Sequence, residues 1–222
     1  MIPIFIGYDP REAAAYHTFC QSIVSHATEP VSFTPLAQRL LSVQGQRDGS
    51  NEFIYSRFLV PWLSDFHGWA LFADGDMLAL ADIAHLWRLR QEDKAVMVCQ
   101  HDYQTKYSEK YLGAKNESYP RKNWSSIVLW NCGHPLNRRL TPEYVDAHTG
   151  SHLHRFGWIP DEQIGSLPLE WNWLVGEYAY SPYAKLVHYT IGGPYFKEYA
   201  MCDYAAEWSS EFRRVTHCSQ RG

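Results

Sequence analysis

Trp69-Ala70-Leu71-Phe72-Ala73-Asp74-Gly75-Asp76 joins an apolar run to a pair of carboxylates. Its first five residues are apolar without interruption, which suits a short strand buried on both faces. Two carboxylates one residue apart follow at once. If the chain turns there, both face one point, and Gly75 lets the backbone pass close to a neighbour. Paired carboxylates suit hard cations such as Mg²⁺ or Mn²⁺, and such a cation can also hold substrate phosphates. A plain loop is the competing reading, because Asp and Gly are common turn residues.

Outward from this stretch, residues 2–6 form another apolar run that ends at Gly7-Tyr8-Asp9-Pro10. Residues 11–27 carry Ala13, Ala14, Tyr16, His17, Cys20, Ile23 and Val24 near helical spacing. Residues 52–64 predict a second helix, with Pro61 as its kink or end. Asp82 is placed to cap a helix reaching about Leu89. Residues 94–99 and 127–130 predict short apolar strands. Residues 102–123 are polar, with Tyr, Lys, Gly and Pro, and predict a long loop of the kind that is often functional. Thr141-Pro142-Glu143 opens a helix. Residues 185–188 predict a late strand and 198–214 a terminal helix.

Short strands alternating with helices predict an α/β fold: one Rossmann-like domain over residues 1–222, with a mostly parallel central sheet flanked by helices. Ligands in such folds gather at the carboxyl ends of the strands. Asp9 and Asp74-Gly75-Asp76 both fall there.

A chain of 222 residues is long enough to bury a full core. Its 9 Trp, 15 Tyr and 10 Phe serve packing first, and flat rings also stack on sugars and bases. A net charge of −4 argues against a nucleic-acid footprint, which is usually basic. The locally basic set Lys106, Lys110, Lys115, Arg121 and Lys122 reads as a solvated loop, and it alone keeps a nucleic-acid acceptor open. The five cysteines are odd in number and widely spaced, so reduced thiols in a cytoplasmic setting fit them better than a disulfide framework. The apolar start is too short for a signal peptide and lacks a basic leader. No run approaches the roughly 18 apolar residues of a membrane span. The expectation is a cytoplasmic protein, with peripheral attachment to a membrane as the alternative.

His188 follows Leu186-Val187 and precedes Tyr189-Thr190-Ile191-Gly192-Gly193-Pro194. A His at a strand end can ligate a metal through a neutral ring nitrogen. Gly192 and Gly193 offer a loop whose amides can approach a phosphate. His152 and His154 also form a His-x-His pair, but no carboxylate or Cys stands at ligand spacing, so they read as surface histidines.

In order and spacing these features resemble the family 8 glycosyltransferases of the GT-A fold, a group that includes glycogenin and bacterial lipopolysaccharide galactosyltransferases. Ile4-Phe5-Ile6-Gly7-Tyr8-Asp9 and Gln21-Ser22-Ile23 resemble that family's first strand and helix. Tyr55-Ser56-Arg57-Phe58 resembles its Tyr-x-Arg helix, and Leu71 to Met77 its metal-binding motif. Ser125-Ser126-Ile127-Val128-Leu129-Trp130-Asn131 resembles the strand that contacts the donor sugar. Asp161-Glu162-Gln163-Ile164, Leu167-Pro168 and Trp171-Asn172 resemble its later segments, and His188-Tyr189 its closing metal histidine. The resemblance spans about residues 2–196.

It implies that Asp74, Asp76 and His188 hold Mn²⁺ or Mg²⁺ against the pyrophosphate of a nucleotide-sugar, most simply a UDP-sugar. Tyr8 and Asp9 would serve the donor, Asp9 near its base. Arg57 would brace the donor site, and Ser125 and Ser126 would bond the sugar. Asp161 or Glu162 would lie by the anomeric carbon as the catalytic carboxylates. The implied reaction is retaining transfer of a hexose-type sugar to a glycan, protein or small-molecule acceptor. Three motifs depart from the family. Its Lys-Pro-Trp is replaced by Gly192-Gly193-Pro194-Tyr195-Phe196, leaving Lys197 as a substitute lysine; its Asn-Ala-Gly becomes Trp124-Ser125-Ser126; its Asp-Gln-Asp becomes Asp161-Glu162-Gln163. Two rivals follow. One is a nucleotidyltransferase, although Tyr8-Asp9-Pro10-Arg11-Glu12 holds no glycine run. The other is a non-catalytic nucleotide-sugar or glycan-binding protein on a degenerate transferase fold.

Overall fold

The computed structural model describes residues 1–37, 41 and 53–217. Residue 52, where the second helix was expected to begin, and Cys218 lie outside the described residues. In chain order the strands are β1 (Ile2–Gly7), β2 (Val31–Leu36), β3 (Trp69–Ala73), β4 (Met77–Ala79), β5 (Val96–Cys99), β6 (Glu109–Lys110), β7 (Ala114–Lys115), β8 (Ile127–Asn131), β9 (Ile164–Leu167), β10 (Trp173–Leu174) and β11 (Leu186–His188). The α-helices are α1 (Ala13–His26), α2 (Val60–Leu63), α3 (Ile83–Trp87), α4 (Pro142–Ala147), α5 (Gly150–His154) and α6 (Ala205–Thr216).

The main sheet has six strands in the order β2-β1-β3-β8-β5-β9. Five of them run one way and β8 runs against both of its neighbours. The sheet is therefore mostly parallel, in an α/β fold. Both of its faces are covered, which explains the uninterrupted apolar runs. Side chains alternate between two cores, as the strand period requires. Ala70, Phe72, Val96, Val98, Val128 and Trp130 enter one core. Leu71, Ala73, Met97, Cys99, Ile127 and Leu129 enter the other, together with Tyr16, Phe19 and Ile23 of α1. A three-stranded sheet, β10-β11-β4, leans on this body. Its β11 runs antiparallel to β4 and sets His188 opposite Met77.

Several boundaries differ from expectation for physical reasons. Over the described part of 52–64 the chain forms a 3₁₀ turn, Ser56–Leu59, and then the short α2. Pro61 lies in the first turn of α2, where a missing N–H costs nothing. The terminal helix starts at Ala205, because Tyr204 sits in the left-handed region (φ 59°) and breaks the segment from the turn Lys197–Tyr199. The expected loop 102–123 contains the β6-β7 hairpin. Asp82 caps α3 by accepting from the Ala84 amide, and that helix ends at Trp87. Thr141 caps α4 through the Tyr144 amide.

Candidate functional site

Asp74 leaves the end of β3 and donates its amide to the Ser126 carbonyl at 2.9 Å. Because β8 runs backwards, its first residues lie beside the last residues of β3, so Ser125 and Ser126 arrive next to the carboxylates. Asp76 is fixed from the other side, where its carbonyl accepts the Tyr189 amide at 3.0 Å. The β4-β11 pairing thus delivers His188 to the Asp-Gly-Asp turn. Gly75 is needed there, since a Cβ on it would stand 2.3 Å from the Gly7 carbonyl oxygen at the end of β1.

His188 Nε2 lies 3.3 Å from Asp76 Oδ1 and 3.9 Å from Asp74 Oδ2. One ligand atom from each of the three residues falls within 4.8 Å of the others, and all three side chains are buried. The His188 ring is oriented by Asn172, whose Oδ1 is 3.2 Å from Nδ1. Asn172 is itself held, donating to Ser126 Oγ at 2.8 Å and to the Asn123 carbonyl. Such an outer partner directs Nε2 toward a cation. Arg57 approaches Asp74 Oδ1 at 2.9 Å and also donates to the Ser125 carbonyl. Its guanidinium lies over the rings of Phe53 and Phe72.

Asp74 Oδ1 and Asp76 Oδ1 are buried without a directed hydrogen bond, although cationic groups stand near both. Buried polar atoms left so are costly unless something completes them. One oxygen from each of the two carboxylates and an imidazole nitrogen within one coordination sphere fit a divalent cation of the Mn²⁺ or Mg²⁺ class. Burial drives the Asp74 carboxyl up to about 6 against the pull of Arg57. Burial also pushes the Asp76 carboxyl up, but His188 overrides it and leaves that group below its usual range. Burial lowers His188, and Asp76 more than reverses this.

The three residues open into a cavity of about 540 Å³ shared with Arg57, Lys110, Tyr119, Ser125, His154 and Thr190, among others. The structure thus brings together Arg57, Asp74, Asp76, Ser125, Ser126 and His188. Tyr8 is half-buried, edge-on to Tyr16. Asp9 is buried beneath the site, sharing a small void with Gly75 and Asp76, and its carboxylate caps the next turn and pairs with Arg11 at 2.5 Å. Gly192 and Gly193 are buried, and Cβ atoms there would strike the rings of Tyr199 and Tyr195. Those glycines therefore make room for the chain's own aromatics.

Asp161 and Glu162 are not brought to the cavity. They are exposed in the turn preceding β9, where the Asp161 carboxylate pairs with Arg121 at 2.6 Å. His154 corrects an expectation: it lines the cavity, with Nδ1 2.7 Å from Ser125 Oγ. Burial pushes this imidazole down to about 3, and the neighbouring Arg57 adds to the effect. Lys110 is the other residue that sequence reasoning left on a solvated loop. Its membership of a basic stretch was the only available signal.

No known family model matches the chain. Among curated proteins it is 48% identical over 219 residues to Protein CDI of Arabidopsis thaliana, covering 94% of this chain and 85% of that protein. Among solved structures it superposes on apo WbbM, a bifunctional glycosyltransferase, with TM-score 0.65 and 16% identity over 95% of this chain, but only 49% of that one. It matches GlyE of Streptococcus pneumoniae with TM-score 0.62 and 12% identity, over 96% of this chain and 61% of that one. An active-site mutant of LgtC gives TM-score 0.65 and 14% identity over 99% of this chain and 98% of its own. The chain thus spans about half of WbbM and nearly all of LgtC. At these identities the likeness is one of fold, and the fold is that of GT-A glycosyltransferases.

Proposed function

From a chain that belongs to the family of the plant Protein CDI and carries a GT-A fold, we propose a metal-dependent glycosyltransferase that moves a hexose from a UDP-sugar with retention. The observation that supports this reading most is the convergence of Asp74, Asp76 and His188 at the carboxyl edge of the sheet. Asp74, Asp76 and His188 would hold Mn²⁺ or Mg²⁺, which when bound neutralises charge on a departing diphosphate. Arg57 fixes the Asp74 carboxylate, and Asn172 fixes the His188 ring. Lys110 supplies a cation to the same cavity, in a chain whose Gly192-Gly193-Pro194 segment lacks the closing lysine of the family it resembles. The hydroxyl of Ser125 faces this cavity and can bond the sugar.

With Asp161 and Glu162 outside the cavity, this reading assigns no carboxylate nucleophile. The acceptor hydroxyl attacks from the face of the leaving group: its oxygen bonds to the anomeric carbon as the carbon–phosphate-oxygen bond breaks, and its proton passes to the departing phosphate. Retention follows without a covalent enzyme intermediate. The four described cysteines are free thiols, in keeping with a reducing, cytoplasmic setting. No described helix is long and apolar enough to cross a membrane.

The test is release of UDP from UDP-glucose or UDP-galactose by the purified protein with Mn²⁺. Asp76→Ala, folded by circular dichroism, is expected to release none above background. Undiminished release by that variant would sink the assignment.

A further inference from the structure

Beside the metal site lies a second groove of about 560 Å³, and it is walled by lysines. It shares Lys110, Tyr119, Asn123 and Thr190 with the first cavity, so the two are continuous. Lys110 and Lys115 are supplied by the β6-β7 hairpin. That hairpin is pinned in place by the Tyr111 amide on the Ile191 carbonyl at 2.8 Å and by the Tyr111 hydroxyl on Glu12.

Lys122 is the unusual member. It is only 7% exposed, and its ammonium is met by two neutral oxygens, Asn116 Oδ1 at 2.5 Å and the Glu117 carbonyl at 2.6 Å. An ammonium has three N–H bonds, and beyond the two oxygens this one meets the Tyr119 ring, 5.4 Å away. Lysine is rarely buried without a counter-charge, because burying a cation without an anion is costly. Two carboxylates act on Lys122: buried Glu177, already engaged by Thr105 and the Lys106 amide, and Glu117, which is drawn to Lys115 at 2.5 Å and is largely exposed. Three lysines against one glutamate leave the lining with a charge of +2.

The donor accounts for Lys110 and leaves one net positive charge, from Lys115 and Lys122 against Glu117. With a divalent cation bound, Arg57, Lys110 and the metal against Asp74 and Asp76 already give the first cavity +2, enough to match a diphosphate. Lys115 and Lys122 do not line that cavity. We propose that this groove is the acceptor subsite, and that the acceptor carries an anionic group, a phosphate or a carboxylate, seated between Lys115 and Lys122. This rests on the transferase reading above.

The protein loaded with UDP and Mn²⁺ is titrated calorimetrically with glucose 6-phosphate, glucuronic acid and glucose. At least one anionic sugar is expected to bind about tenfold or more tightly than glucose, and the stronger of the two tells phosphate from carboxylate. Lys122→Gln should weaken that binding about tenfold, the size of one charge-assisted hydrogen bond. Lys115→Gln, on an exposed side chain that holds no buried contact, should weaken it in the same direction. Neither variant should alter UDP·Mn²⁺ affinity. Glucose binding as tightly as both anions, or anion binding unchanged in both variants, would overturn the proposal. Loss of UDP·Mn²⁺ affinity in Lys115→Gln would assign the groove to the donor instead. Failure of the wild type to bind UDP·Mn²⁺ overturns the transferase reading, and this assignment with it.

Discussion

Glu12 sits buried beside the Asp74-Gly75-Asp76 turn and takes hydrogen bonds from the hydroxyls of Tyr111 and Tyr195, both at 3.0 Å. Burial raises its carboxyl to about 7, and the charge of Asp76 adds to that. Its folded value lies above its unfolded one, so folding favours the protonated form. The stability this gives is fully present below about pH 4.5 and is lost as pH rises through about 7. Glu12→Gln keeps a neutral group there at every pH. In the presence of EDTA, its melting temperature relative to wild type should therefore climb between pH 5 and pH 8, by up to about 3 kcal/mol in stability. A flat difference across that range would show that Glu12 is not held this way. At this scale, legibility in the sequence followed chemistry. Asp74, Asp76 and His188 could be read because metal ligation restricts residue type and position. His154 could not, because α5 turns it inward and nothing in His-x-His spacing says so. Lys110 looked like any lysine of a polar loop until the hairpin closed over the cavity.

The elements meet at Gly75, where the turn after β3 rests on the Gly7 carbonyl at the end of β1. Gly75→Ala inserts a Cβ against backbone, which cannot rotate away as a side chain can. Overpacking of this kind typically costs about 1–3 kcal/mol. For a chain of this size that is a fall in melting temperature of roughly 2–4 °C per kcal/mol. The displaced carboxylates should also lose Mn²⁺ affinity. An alanine variant with wild-type Mn²⁺ binding would show that the close approach is not required. The apolar strands β1, β3, β5 and β8 were legible because both faces of the sheet are covered. Strand β2 was not: Val31–Leu36 contains Ser, Thr and Pro35, which a central strand would refuse. It lies at the sheet edge, where a proline is tolerated. The extent of the terminal helix was misjudged because one left-handed residue, Tyr204, divides two helix-compatible segments.

Across the whole molecule, the site is a product of topology. The reversal of β8 places Ser125 and Ser126 beside Asp74, and the small sheet carries His188 back to Asp76. Strand direction is a long-range property with no local sequence signal, so the convergence of Asp74, Asp76 and His188 was readable only through the family resemblance. The molecule is acidic overall, at −4, yet the two joined cavities gather Arg57 and three lysines around three carboxylates, Asp74, Asp76 and Glu117. That contrast is what a site for an anionic donor held through a cation requires. In the function proposed above, the Asp74-Asp76-His188 group binds a nucleoside diphosphate only through a divalent metal. Calorimetric titration of UDP tests it directly, into the wild type with Mn²⁺, into the wild type with EDTA, and into Asp74→Asn/Asp76→Asn with Mn²⁺. Saturable binding is expected in the first case and none in the other two. Equally tight binding in EDTA, or in the doubly substituted protein, would contradict it.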